Sequence, residues 1–425
     1  MLVQFAVNNF RSIKDYVTLN MLAASKDESN TFLLRDGSCE LLNSAVLYGP
    51  NASGKSNVLK AMAQMRNIVL NTTKVHQSTD KLPHNPYKLN KQTIEASTSF
   101  EIIFFIHNSK YRYGFELDST TVYAEWLFVD ENGREAKLFY RDINDEFYVN
   151  KNKFKEGKGL EEKTLKNQLF VWKCDSENGP ISRDILQWFS HLNMIDGLEN
   201  RGYIDFTINQ MKNESFKKDI VSLVKFADLG IVDIATNESR MDPQDIEAIP
   251  LSQEIKDQML KDENLVKIET HTSHKFFDKD NNEVGQIRFD LRKDESFGTN
   301  KFFAMSAPIL DTLKRGGVLI VDELDASLHP ILTMHLIKLF HNEKVNSQNA
   351  QLIFATHDTN LLNSNLFRRD QIWFTEKDKY GSTDLYSLVE YKSNKARKST
   401  NLEKNYLQGR YGAIPYIGEF GFRDL

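Results

Sequence analysis

The chain has 425 residues, 40% hydrophobic and 27% charged, with a net charge of -5 at neutral pH. That is enough for a full core, and the acidic balance excludes a global electrostatic pull toward nucleic acid or anionic membrane. Two cysteines, Cys39 and Cys174, exclude a disulfide framework and a Cys-ligated zinc site, and fit a reducing cytoplasm.

The first residues lack a basic segment followed by a long apolar core. No apolar run approaches the ~20 residues that span a bilayer, so neither a signal peptide nor a membrane partner is expected. Residues 2–10 and 16–22 alternate as strands around a turn containing Arg11, which is read as a solvated turn residue in preference to a base or phosphate contact. Residues 45–48 are an unbroken apolar run, the pattern of a strand buried on both faces.

Gly49-Pro50-Asn51-Ala52-Ser53-Gly54-Lys55-Ser56 follows, then Asn57 and a helical pattern through Val58, Leu59, Met62, Met65 and Val69. The eight residues match G-x-x-x-x-G-K-[S/T], in the strand–loop–helix context that a phosphate-binding P-loop requires. The glycines let successive backbone N–H groups turn toward phosphate oxygens, and the helix N-terminus adds its own. Lys55 is expected to reach the β- and γ-phosphates of ATP, and the Ser56 hydroxyl to ligate Mg²⁺.

Residues 71–97 read as a crossing loop with Pro83 and Pro86. From 97 to 150 the pattern is an antiparallel meander, whose many aromatics are assigned to a core and not to a base-stacking platform. Residues 160–265 carry helical spacing over 181–192, 206–226 and 246–260, too short for a coiled-coil arm. They predict a compact helical insert. Strands return at 265–270 and 285–291, with His271 and His274 read as hairpin-end residues in preference to metal ligands.

Glu295-Ser296-Phe297-Gly298-Thr299-Asn300 precedes a helical pattern that runs to Leu313, an anion-binding helix end. Val318–Val321 is a second buried-strand run, ending in Asp322 and Glu323. Beside a nucleotide, Asp322 would hold Mg²⁺ and Glu323 would orient and deprotonate the attacking water. Asp325 follows in the next loop, and Pro330 opens a helix. Residues 351–356 form one more buried strand with His357 at its end, within reach of a γ-phosphate.

These motifs, in this order and with a large insertion between the first and the rest, resemble the ABC-type ATPases of the SMC/RecF/OLD branch. The resemblance implies an α/β fold: a P-loop NTPase of ABC/SMC-like type with an antiparallel β subdomain and a helical insert. The corresponding division is an N-terminal ATPase lobe over 1–150, the insert over 151–265 and a C-terminal lobe over 266–425. It further implies a homodimer or larger homo-oligomer that sandwiches ATP. Ser296 and Gly298 would then act in trans on nucleotide held at Lys55, Asp325 would join the two sites, and His357 would be the switch histidine. Phe297, Thr299 and Asn300 depart from the transporter signature, which has two glycines and a glutamine after the serine. Gln168 is the candidate for the Mg²⁺-sensing glutamine.

Asp322–Pro330, Thr356–Thr359, Arg369–Phe374 and the terminal Gly409-Arg410-Tyr411-Gly412-Ala413-Ile414-Pro415 narrow the resemblance. They are similar to the RloA-type abortive-infection ATPases and to the ATPase component of the PARIS anti-phage system. That implies a prokaryotic defence ATPase that senses infection, with a nucleic acid or phage protein as trigger. It would control a separately encoded, nuclease-like effector, since about 50 residues follow Phe374 and carry no Toprim pattern. The basic stretch Lys392, Lys395, Arg397, Lys398, Lys404 and Arg410, with the aromatics Tyr406, Tyr411, Tyr416, Phe420 and Phe422, is a candidate docking segment. Two alternatives stand beside this reading: a RecF/SMC-like repair ATPase acting directly on DNA, and a regulatory scaffold whose ATP site is mainly structural.

Overall fold

The computed structural model describes residues 1–24, 34–36, 39–71, 77–131, 133–144, 147–198, 201–227, 230–262, 265–363, 365–391 and 401–415. The basic residues Lys392, Lys395, Arg397 and Lys398, and the aromatics Tyr416, Phe420 and Phe422, lie outside the described residues. Two compact units make up the chain: Met1–Leu198 with Asp311–Leu425, and Glu199–Leu310.

In the first unit, β1 (Leu2–Asn8) and β2 (Val17–Asn20) precede a short ladder of β3 (Leu34–Asp36) and β4 (Cys39–Leu41). Then come β5 (Ser44–Tyr48), α1 (Lys55–Asn71) and the five-residue helix α2 (Lys91–Glu95). The meander is β6 (Thr98–Ile106), β7 (Ser109–Leu117), β8 (Val122–Asp130), β9 (Glu135–Asp142) and β10 (Tyr148–Val149). It joins β1 and β2 in a seven-stranded sheet ordered β10-β9-β8-β7-β6-β1-β2, antiparallel throughout. Many of its aromatics are core: Tyr148 is exposed, whereas Phe100, Phe104, Tyr113 and Phe115 are all buried. A charged cluster lies among them. Glu125, fully buried, accepts from the Tyr113 hydroxyl, pairs with Arg141 at 2.9 Å, and accepts from the N–H groups of Phe170 and Val171.

Those two N–H groups open α3 (Phe170–Ser176), which leads through α4 (Pro180–Ser190) into β11 (Leu192–Asp196). The Trp188 ring on α4 stacks on Phe104 at 4.2 Å, so the meander packs on this helix. In the second unit, α5 (Arg201–Gln210), α6 (Glu214–Phe226), α7 (Pro243–Glu247) and α8 (Gln253–Met259) accompany a three-stranded antiparallel sheet. That sheet is β12 (Ile231–Arg240), β13 (Val266–Phe277) and β14 (Glu283–Asp290), in that order. Ile220 and Val224 of α6 and Ile231 and Ile234 of β12 are buried. Helix α9 (Phe297–Arg315) begins in this unit, and the division falls within it.

The first unit then resumes with β15 (Val318–Asp322), α10 (Pro330–His341), β16 (Gln351–Ala355), β17 (Ile372–Lys377), β18 (Thr383–Ser387) and α11 (Leu402–Leu407). Its six-stranded sheet is ordered β11-β15-β16-β5-β17-β18, parallel except for β18. Every residue of β5, β15 and β16 is buried, as a parallel sheet with both faces covered demands.

An insert over 151–265 made of helices is not what forms. Residues 151–198 belong to the first unit, and β11 pairs in parallel with β15 at the edge of the sheet. The compact second unit runs over 199–310 and contains β12, a strand inside the stretch expected to be helical. The physical reason is local ambiguity: Leu192 continues the helical spacing of α4, and the five residues of β11 are too few to carry a periodicity that separates strand from helix. His271 and His274 also lie within β13, not at a hairpin end.

Candidate nucleotide-binding site

The strands β5, β16 and β15 are neighbours and run parallel, so residues following their C-terminal ends collect at one edge of the sheet. After β5 the chain makes the loop Gly49–Gly54. Ala52 takes a left-handed φ of 62° at its tip, and Gly54 has φ 114°. A Cβ on Gly54 would lie 2.1 Å from the Thr383 hydroxyl oxygen, so glycine is required there by both backbone and space.

The hairpin β17–β18 forms the back wall of this loop. Thr383 Oγ1 donates to the Ser53 carbonyl at 2.9 Å, and the hydroxyls of Ser53 and Thr375 lie 2.6 Å apart. Asn57 donates to the Ser12 hydroxyl, which lies 2.8 Å from that of Thr383. Ser12, Thr375 and Thr383 were not singled out in the sequence, since isolated hydroxyl residues carry no signal until strands from both ends of the chain meet.

Lys55 opens α1 and is 5% exposed. Its ammonium donates to the carbonyls of Gly49 (2.8 Å) and Pro50 (3.3 Å), within the loop itself. Burial lowers its pKa to about 8, against the raising influence of Asp322, Glu323 and Asp325. Next to it, the Ser56 hydroxyl donates to Asp322 Oδ1 at 3.1 Å.

Asp322 ends β15, and Glu323 follows with a left-handed φ of 54°. This turn is held from both sides. Leu324 N–H donates to Ala355 of β16, and Gly197 N–H, just past β11, donates to Asp322. A Cβ on Gly197 would meet the Glu323 carbonyl at 2.2 Å, a requirement for glycine that the sequence reading did not identify.

His357 follows β16 and, though exposed, is held below its ordinary pKa, first by desolvation of its ring and then by the Lys55 ammonium. Asn51, Ala52, Ser53, Gly54, Lys55, Ser56, Asn57, Asp322, Glu323, His357 and Lys377 line one cleft of about 440 Å³. Lys377, at the end of β17, is a further cation that no motif marked. Asp325 lies in the following turn, where its Oδ1 is buried with no hydrogen-bond partner among the described residues. A second cleft of about 400 Å³ shares Asn57 and Lys377 and is lined also by Arg11, Ser12, Asn85, Tyr87 and Lys88.

Ser296 and Gly298 stand at the start of α9 in the second unit. There Ser296 Oγ accepts from the Thr299 N–H at 3.1 Å, as a helix N-cap does. Gln168 does not line the cleft. Its carbonyl accepts from Arg141 and its side-chain oxygen from Leu165 N–H, so it serves a local turn.

Hard oxygen donors, Ser56 Oγ and Asp322, converge beside a buried cation and a row of backbone N–H groups. That donor set fits Mg²⁺ with a polyphosphate. The motifs and the parallel sheet define an α/β P-loop NTPase fold. The family model described as "AAA domain, putative AbiEii toxin, Type IV TA system" matches residues 44–165 and 183–363, more than half the chain, and the chain belongs to that family. It is thus an ATP-binding P-loop ATPase of a family linked to toxins and abortive infection.

No curated protein matches the chain. Among solved structures it is similar to the SMC head domain from Thermotoga maritima, at 14% identity and a TM-score of 0.41, covering 91% of this chain and 98% of that one. It is similar also to the recombination mediator protein RecF-ATPrS in the RecFOR pathway, at 13% identity and a TM-score of 0.34, again covering 91% and 98%.

Proposed function

We propose that the protein binds and hydrolyses ATP in this cleft and uses the nucleotide state to control a separately encoded toxic effector, nuclease-like in kind, in anti-phage defence. The observation that carries the hydrolytic part is the meeting of Ser56 and Asp322 beside Lys55, with Glu323 and His357 on the same cleft. Gly49–Ser56 cradle the phosphates with their N–H groups, and Asn57 lines the same cleft. Lys55 exchanges its loop carbonyls for β- and γ-phosphate oxygens. Ser56 and Asp322 would hold Mg²⁺, which when bound would neutralise developing phosphate charge. Glu323 orients a water in line with the γ-phosphorus and takes its proton as the bond to the β-γ bridging oxygen breaks. His357 contacts the γ-phosphate from the end of β16. The nucleoside end extends toward the second cleft, a reading supported by the Asn57 and Lys377 that the two clefts share.

Ser296 and Gly298 cap the phosphate bound to a second protomer, and Asp325, whose buried Oδ1 has no hydrogen-bond partner among the described residues, links the two sites across that dimer. The effector role is supported by a family description that names a toxin system. Among the described residues no helix is long and apolar enough to cross a membrane. The test is Glu323→Gln. It is expected to keep ATP, accumulate as dimer and lose ~10²–10⁴-fold in turnover. Wild-type turnover in this variant would remove Glu323 as the base. Co-expression of Lys55→Ala with the neighbouring gene's product, compared with wild type, tests the control of an effector.

A further inference from the structure

We propose that Glu295 is a positioning residue for the loop at Ser296, clamped for that purpose by Thr272 and His274 of β13. This rests on the reading that Ser296 and Gly298 cap a partner's phosphate. Residues 291–296 connect β14 to α9. They are tied at one level by Asn300, whose side-chain amide donates to the carbonyls of Leu291 (2.8 Å), Glu295 (3.3 Å) and Ser296 (3.1 Å). Leu291 N–H is bound to the Thr270 carbonyl of β13 at 2.9 Å. The side chain of Glu295 adds a tie of another kind.

Its Oε1 accepts from the Thr272 hydroxyl and lies 2.6 Å from His274 Nε2. Thr272 and His274 are two apart on one strand and so point to one face. Thr272 is fully buried, and the Glu295 side chain is only 9% exposed. The Phe289 ring of β14 backs the imidazole, with centroids 4.8 Å apart.

The arrangement matters because of where Glu295 sits. A carboxylate one residue before the N-cap of a 19-residue helix is drawn toward the helix's own N–H groups, the groups an incoming phosphate would use. Holding Oε1 on β13 turns the negative charge away from that end and leaves Ser296 to face it. Asn300 keeps the loop's backbone in place without the clamp, so losing Glu295 alters the aim of the loop more than the fold of the unit.

The experiment uses the full chain, with Mg²⁺-ATP turnover and equilibrium ATP binding measured for each variant. Glu295→Ala is expected to lower kcat about tenfold while ATP affinity changes less than about twofold. Glu295→Gln, which retains an acceptor for Thr272, is expected to recover most of the loss, and His274→Gln to fall between. If Glu295→Ala fails to fold, His274→Gln decides by the same criterion. Wild-type kcat in Glu295→Ala, or an equal loss in Glu295→Gln, overturns the proposal while Ser296→Arg still lowers turnover. Wild-type turnover in Ser296→Arg overturns the trans reading itself, and this proposal with it.

Discussion

The hydroxyl of Ser56 donates to Oδ1 of Asp322 at 3.1 Å, across 266 residues of chain. The contact exists because β5 and β15 run parallel in one sheet, with only β16 between them. A hydroxyl and a carboxylate this close are placed so that both can ligate one hard cation. Asp322→Asn is accordingly expected to bind ATP in EDTA much as wild type does. It should lose ~10–100-fold of the affinity that Mg²⁺ adds, measured by titration with and without the metal.

Lys55 makes ATP binding weaken as the pH turns alkaline. Burial lowers its pKa to about 8 from the ordinary 10.5. The folded, nucleotide-free protein therefore binds fewer protons than the unfolded chain between those values. This group's contribution to stability rises with pH across that window and is least favourable below it. A triphosphate needs the ammonium, so ATP affinity is expected to fall above about pH 8, approaching tenfold per pH unit. Lys55→Arg, permanently charged, should give a flatter profile by isothermal titration. A wild-type affinity unchanged from about pH 7 to 9.5 would contradict the assignment.

Gly54→Ala tests the back wall of the loop. The new Cβ would meet Thr383 at 2.1 Å in a left-handed backbone, so strain of ~1–3 kcal/mol is expected with loss of nucleotide binding. Pairing it with Thr383→Ser is expected to recover little, because the strained φ of 114° remains. Thermal melting with and without ATP reads both effects.

Glu125→Ala would remove the fully buried carboxylate of this network, leaving Arg141 and the first N–H groups of α3 without the acceptor they share. The cost is expected at ~3–5 kcal/mol, far above that of an exposed pair such as Lys153–Glu131. Denaturant unfolding of Glu125→Ala and Glu131→Ala side by side checks the contrast.

Much of the cleft is legible in the order of residues, because its parts are contiguous. The phosphate loop, the carboxylates after β15 and the histidine after β16 each follow a short apolar run, and a fully buried parallel strand must be such a run. Gly197, Thr375, Thr383 and Lys377 were not legible, since each acts on the cleft from a strand remote in sequence. The strand β11 was hidden by the helical spacing that leads into it, and β12 by the helices on either side.

By itself the sequence determined that a strand, a glycine-bearing loop and a helix would make a phosphate cradle, since those dihedrals and N–H groups are properties of neighbouring residues. Only the tertiary structure decided that Asp322 lies at Ser56, that a hairpin from the far end of the chain supports Gly54, and that Glu295 turns onto β13. Those are questions of strand order and packing, and local pattern cannot answer them because hydrogen bonds between distant strands leave no periodicity in the chain that makes them.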